Sequence, residues 1–147
     1  MRVVAIDPGT EQSAFVVFDG KSVIECAIIP NHEMKQRLAD NNFGGAEVCG
    51  IEMIASYGMS VGKEVFETCV WIGRFMERSQ LTTIRVFRKD IKLRLCGTTK
   101  AKDTNIRQAL IDKYGAPGTK KNKGPTFGVT SHLWAALAVA DYLIDQQ

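Results

Sequence analysis

Two apolar runs, each ending in a carboxylate, constrain this chain more than any other feature: Val3-Val4-Ala5-Ile6-Asp7-Pro8-Gly9-Thr10 and Val48-Cys49-Gly50-Ile51-Glu52-Met53. Runs of this length and character suit strands buried on both faces. An acid at the end of such a strand is costly to ionise without a cationic partner. The simplest partner is a metal ion. Two carboxylates on adjacent strand ends, with a third polar group from elsewhere, can hold one or two Mg²⁺ or Mn²⁺ ions, hard cations that take oxygen ligands. The chemistry this points to is metal-assisted cleavage of a phosphodiester.

The pattern around those two runs is an ordered α/β alternation. Strands are expected at Val3 to Asp7, at Gln12 to Phe18 and, after an Asp19-Gly20 hairpin turn, at Ser22 to Ile29. Pro30 is expected to open a short helix through Ala39, and Gly44-Gly45 to break the chain before the strand that ends at Glu52. From Val61 to about Arg78, Val65, Cys69, Ile72 and Met76 recur at helical spacing. Leu81 to Phe87 is the last expected strand. Basic helices follow at Lys89 to Leu95 and Lys102 to Tyr114, then a Gly/Lys/Pro loop, then a helix from Ser131 to Ile144 with Thr130 or Ser131 as N-cap. No boundary divides the 147 residues, so one domain over 1–147 is expected.

Charge is unevenly distributed. From Arg85 to Lys123, twelve Lys or Arg stand against three acids, a net of +9; elsewhere seven bases face thirteen acids, a net of −6. Concentrated positive charge suits a face that tracks phosphates, although solvated helix faces give the same count. The four cysteines are scattered without a CxxC pair, which suits a reduced, cytoplasmic protein without disulfides or a zinc site. Asp7-Pro8-Gly9 interrupts the first apolar run too early for a secretory signal, and Leu133 to Ala140 falls far short of the roughly 20 apolar residues that span a bilayer. No membrane association is expected.

Three strands joined by tight turns, then helix, strand, helix and strand, is the order of an RNase H-like mixed sheet: three antiparallel strands, then two parallel, flanked by helices. With Ala5-Ile6-Asp7-Pro8-Gly9-Thr10, Ile51-Glu52-Met53, the lysine-rich helices and His132-Leu133-Trp134-Ala135-Ala136-Leu137-Ala138-Val139-Ala140 in that order, the chain resembles the RuvC-like Holliday junction resolvases, most closely the short bacteriophage and prophage versions. The resemblance spans essentially the whole chain. It implies a homodimeric, Mg²⁺- or Mn²⁺-dependent endonuclease that nicks two strands of a four-way DNA junction symmetrically.

By that resemblance Asp7 is the first-strand aspartate that bridges the ions, and Glu52 is the glutamate that ends the fourth strand. A turn before Pro8-Gly9 accounts for Asp7 as well. The family's last helix usually offers two polar ligands three residues apart; here it offers His132 and then Ala135. Asp141, nine residues on, lies roughly half a turn away, and Asp145 stands almost 20 Å along the axis, so neither fills the empty position. His132 is read as a metal ligand or as a group that activates water. Glu11 or Glu64 could supply the missing acid. Lys102 matches a region where resolvases set lysines against the scissile phosphate, with Lys100 as the alternative. Arg88, Lys89, Lys92, Arg94, Lys120, Lys121 and Lys123 would grip backbone phosphates without reading bases.

The central helix, 61–78, matches the element on which such dimers are built, and it carries apolar groups on more than one face, including Val65, Phe66, Val70, Trp71 and Phe75. Such a helix is either deeply buried or shared with a partner. In the loop after Glu52, Tyr57 or Met59 is the candidate wedge at a branch point. The Asp7-Pro8-Gly9-Thr10 turn also resembles the first phosphate loop of actin-like ATPases and sugar kinases, but those need two such domains, so no nucleotide cofactor is expected. A nuclease of the same fold acting on flaps or RNA, or a non-catalytic binder of branched DNA, remains compatible with the residues.

Overall fold

The computed structural model describes residues 1–146. Five strands and five helices run in the order β1 (Val3–Asp7), β2 (Gln12–Phe18), β3 (Val23–Pro30), α1 (Asn31–Ala39), β4 (Val48–Met53), α2 (Lys63–Arg78), β5 (Thr82–Phe87), α3 (Arg88–Cys96), α4 (Asp103–Tyr114) and α5 (Leu133–Asp145). The strands form one sheet in the order β3-β2-β1-β4-β5. β1, β2 and β3 pair antiparallel, while β4 joins β1 and β5 joins β4 in parallel. This is the RNase H-like mixed sheet expected from the sequence.

Burial on both faces explains the unbroken apolar runs. Alternate residues of β1 divide between two cores: Val3 and Ala5 pack with α4 and α5, whereas Val4 and Ile6 pack with α1 and α2. β2 divides in the same way, Val16 and Phe18 on one side and Phe15 and Val17 on the other. With period-2 side chains and helices on both faces, the covered stretches Val3 to Ile6 and Ala14 to Phe18 are apolar throughout.

α5 lies close against the sheet because β4 has a glycine at its middle. A Cβ on Gly50 would come within 2.6 Å of Leu143 Cδ1 and 2.9 Å of Val139 Cγ1. The far ends of α3, α4 and α5 are tied together by charge. Lys113 Nζ of α4 donates to Asp141 Oδ1 at 2.7 Å and to Asp145 Oδ2 at 2.8 Å, Tyr114 Oη donates to Asp141, and Arg94 of α3 pairs with Asp145. Burial opposes the Lys113 charge, but its hydrogen bonds to Asp141 and Asp145 outweigh it and hold the ammonium above its ordinary value.

Element ends differ from the sequence expectation by one or two residues at several places. Pro30 ends β3 rather than opening α1, because its φ of −58° and ψ of 146° are extended, and the helix begins at Asn31. α2 begins at Lys63, two residues after the expected Val61, with Gly62 as its N-cap. The last helix starts at Leu133 with His132, not Thr130 or Ser131, at the N-cap position. There the Thr130 and Ser131 carbonyls accept the N–H groups of Leu133 and Trp134, so a tight backbone turn replaces a side-chain cap. All four cysteines are free thiols. Among the described residues no helix is long and apolar enough to cross a membrane.

Gly50→Ala is expected to lower unfolding free energy by about 1–3 kcal/mol through overpacking against Val139 and Leu143. Urea denaturation followed by circular dichroism measures this directly.

Candidate active site

Parallel strands send their carboxyl ends to one edge of the sheet, where ligands of open α/β sheets bind. Asp7 ends β1, Glu52 is the penultimate residue of β4, and Arg88 directly follows β5. Their register is fixed by the ladders, with Ile6 opposite Ile51 and Glu52 opposite Val86. The three charged side chains line one open cleft of about 550 Å³ with Asp103, Ile106, Ser131, His132, Trp134 and Ala135.

Asp7 is held by the turn that follows it. Gly9 N–H donates to Ser13 Oγ at 3.1 Å, Ser13 Oγ donates to Asn31 Oδ1 at 2.6 Å, and Asn31 Nδ2 donates back to the Gly9 carbonyl at 2.9 Å. Ser13 and Asn31 are almost wholly buried, so this ring of hydrogen bonds is screened from water. A Cβ at Gly9 would collide with the Gln12 carbonyl oxygen, which makes glycine a requirement of the turn. These positioning residues carried no signal in the sequence beyond an ordinary turn.

The two acids crowd each other. Burial first, then the charge and hydrogen bond of Glu52, push the Asp7 carboxyl up to about 8, and Arg88 opposes them. Two partly buried carboxylates in contact are a donor set short of positive charge. His132 stands beside Asp7, its Nδ1 3.2 Å from Asp7 Oδ2. Ser131, immediately before it, takes a left-handed φ of 49°, so the chain turns sharply to bring the imidazole over the cleft. The residues therefore fit a hard divalent cation by chemistry: oxygen donors from Asp7 and Glu52, with an imidazole beside them. Among the described residues, however, no three His, Cys, Asp or Glu side chains stand close enough to enclose an ion as they are. Arg88 Nη1 is instead 3.1 Å from Glu52 Oε1, and its Nη2 pairs with Asp103.

Ala135 faces the same cleft as His132, which places the empty ligand position inside the site. Asp141 and Asp145 do not line it; both belong to the charged tie at the far end of α4 and α5. Glu11 lines an adjoining cleft with Asp7, Thr10 and His132, whereas Glu64 lines neither. Asp103, which the sequence reading passed over, is the one further acid of the main cleft. Its only sequence signal was its place at the start of a helix, shared by many solvated acids.

The basic residues separate into groups. Arg88, Lys89 and Lys92 line one groove with Tyr57 and Thr99, next to the acids. Tyr57 is exposed with a left-handed φ of 51°, and Met59 beside it is still more exposed. Lys102 is the N-cap of α4; its N–H is bound by Asn105 Oδ1 at 2.9 Å and the residue does not line the acid cleft. Lys100 lies in a groove between α3 and α4, and Lys123 in one beside β3. Lys120 and Lys121 are exposed on the same loop as Lys123. Arg94 is paired with Asp145 and stacks over Tyr142.

Three helix N-termini also meet at the cleft: Arg88 opens α3, Asp103 opens α4, and His132 precedes α5. Their dipoles favour an anion at a site whose own side chains are acidic. RuvC from Thermus thermophilus superposes on this fold with a TM-score of 0.68 over 95% of this chain and 91% of that one, at 17% identity. The chain has the RuvC fold. T. thermophilus RuvC in complex with Holliday junction substrate gives a TM-score of 0.69 over 95% of this chain and 90% of that one, at 16% identity. No family model and no curated protein matches the sequence. The likeness to RuvC thus lies in the fold, where it extends over nearly the full length of both chains.

The crowded acids predict a pH-dependent stability. Asp7's contribution is fully present below its unfolded value of 3.8 and is lost as pH rises through about 8, because its folded value is the higher one. In metal-free buffer, wild-type melting temperature should therefore fall relative to Asp7→Asn between those limits. Mg²⁺ should raise the melting temperature of the wild type and leave the variant unchanged. Parallel melting curves for the two proteins across this range would refute the crowding.

Proposed function

We propose that this protein is a metal-dependent, structure-selective DNA endonuclease that resolves four-way junctions by paired symmetric nicks. The observation that carries the reading is the pair of partly buried carboxylates, Asp7 and Glu52, on adjacent parallel strand ends of a RuvC fold, with His132 Nδ1 at 3.2 Å from Asp7. The solved RuvC complex with a Holliday junction gives the substrate class its support.

In this reading Asp7, Glu52 and His132 would hold one or two Mg²⁺ or Mn²⁺ ions. Bound there, the metal would lower the pKa of the attacking water and stabilise the leaving 3′ oxygen. The protein's own part is placement. The Gly9–Ser13–Asn31 ring fixes Asp7, and the turn at Ser131 directs His132 to it. Helix N-termini and Arg88, Lys89 and Lys92 receive the phosphates, and Lys100, Lys102, Lys120, Lys121 and Lys123 extend the backbone contacts outward. Tyr57 and Met59, exposed on the loop after β4, would be the wedge at the branch point.

Two active sites are needed for paired nicks, and α2 offers the surface for a homodimer. Its inner face buries Trp71, Ile72 and Phe75, while Phe66 and Val70 are exposed on the outside. Phe66→Asp should yield a monomer by analytical ultracentrifugation with the fold intact, and junction nicks should lose their symmetry.

A nicking assay on a synthetic four-way junction with Mg²⁺ or Mn²⁺, beside duplex, flap and RNA substrates, tests the main reading. Symmetric junction nicks that disappear with chelator or with Asp7→Asn are expected. Cleavage should fall steeply with salt, since several lysines and arginines displace counterions. Ala135 at the cleft favours one other reading, a protein that holds junctions without cutting them. Tight junction binding with no metal-dependent turnover would establish it.

A further inference from the structure

We infer that Arg88 is an exchangeable internal cation: it neutralises Glu52 in the free protein and passes to the scissile phosphate when a divalent ion takes the carboxylate. This rests on the metal-site reading above. Arg88 is the one lysine or arginine among the described residues that line the acid cleft. Its guanidinium spans two carboxylates, with Nη1 at 3.1 Å from Glu52 Oε1 and Nη2 on Asp103. Glu52 comes from the sheet and Asp103 from α4, so the fork bridges the fixed floor of the cleft and one of its walls.

A metal ion at Glu52 would compete with this arrangement, although Arg88 engages only one of the two carboxylate oxygens, Oε1. A divalent cation at Glu52 would stand a few ångströms from the guanidinium, in a site too buried for water to screen the repulsion fully. The repulsion favours withdrawal of the guanidinium. Asp103 gives Arg88 somewhere to go: its side chain is 85% exposed, far more open than Glu52 at 15%, so the Nη2 contact can persist while Nη1 swings away. Released from Glu52, Nη1 becomes a free donor at the boundary between the acid cleft and the groove formed with Tyr57, Lys89, Lys92 and Thr99. A phosphodiester entering along that basic groove meets the guanidinium first, and planar guanidinium donors suit phosphate oxygens.

The consequence is a coupling. DNA that draws Arg88 off Glu52 tightens metal binding, and by linkage the metal tightens DNA binding by the same factor. Ala135 sharpens the competition, because with no acid at that position Glu52 is one of only two strand-end carboxylates available to the ion.

Mn²⁺ binding without DNA, measured by titration calorimetry on wild type, Arg88→Gln and Arg88→Lys, tests the exchange. Arg88→Gln should bind Mn²⁺ on the order of tenfold more tightly than wild type, yet nick junctions on the order of a hundredfold more slowly at saturating metal. Arg88→Lys, which keeps the charge but cannot span both carboxylates, should fall between them in both measurements. It also decides the matter if the glutamine variant does not fold. Unchanged or weaker Mn²⁺ binding in a folded variant would overturn the exchange and make Arg88 a fixed prop for Glu52, with the metal site itself intact. Absence of Mn²⁺ binding in the wild type would instead remove the metal site, and this inference with it.

Discussion

Two carboxylates forced together at the carboxyl edge of a buried sheet set the terms for the rest of this structure. Asp7 and Glu52 are neighbours because β1 and β4 are parallel and in register, with Ile6 opposite Ile51. That pairing needs a crossover through β2, β3 and α1, and it needs helices on both faces to keep the strands dry. The acids are therefore a product of the architecture and a load upon it. A protein selected only for stability would place amides or apolar groups there, and would lose the one feature that suits a hard cation.

Several local features act to bear that load. The buried Ser13 and Asn31 close the turn after Asp7 through their side chains and leave the backbone no slack. Arg88 supplies positive charge at the end of β5, one strand beyond Glu52. The helix N-termini add partial positive charge without adding side chains that would compete for substrate. Each acts within a few ångströms of the acids, in surroundings where electrostatic terms are strong.

The fold was legible in the sequence because its strands are buried on both faces. Runs such as Val3 to Ile6 leave few alternatives, and the turn residues that separate them fix their order. Asp7 and Glu52 stood out because a carboxylate at the end of an apolar run is conspicuous, whereas His132 was picked out only by resemblance to a family's last helix; folding brings all three to one cleft. Asp103 was not, because an acid at a helix start is ordinary. Arg88 was hidden in a crowd of bases, and only the ladder between β4 and β5 shows that it alone reaches the acids. Asn31 and Ser13 gave no sign at all: their partners are backbone and side-chain atoms brought together by folding, at sequence separations up to twenty-two residues. The N-cap of α5 was misplaced because tertiary context favoured a tight turn over a hydroxyl cap.

The charged tie among α3, α4 and α5 has a mechanical meaning. Each of these helices begins at the cleft, with Arg88, Asp103 and His132, and each is fastened near its other end, through Arg94, through Lys113 and Tyr114, and through Asp141 and Asp145. α4 alone is about 18 Å long at 1.5 Å per residue. Because Arg88 also pairs with Asp103 and Glu52, and His132 with Asp7, the three helices are held at both ends, so the width of the cleft is set from two places at once.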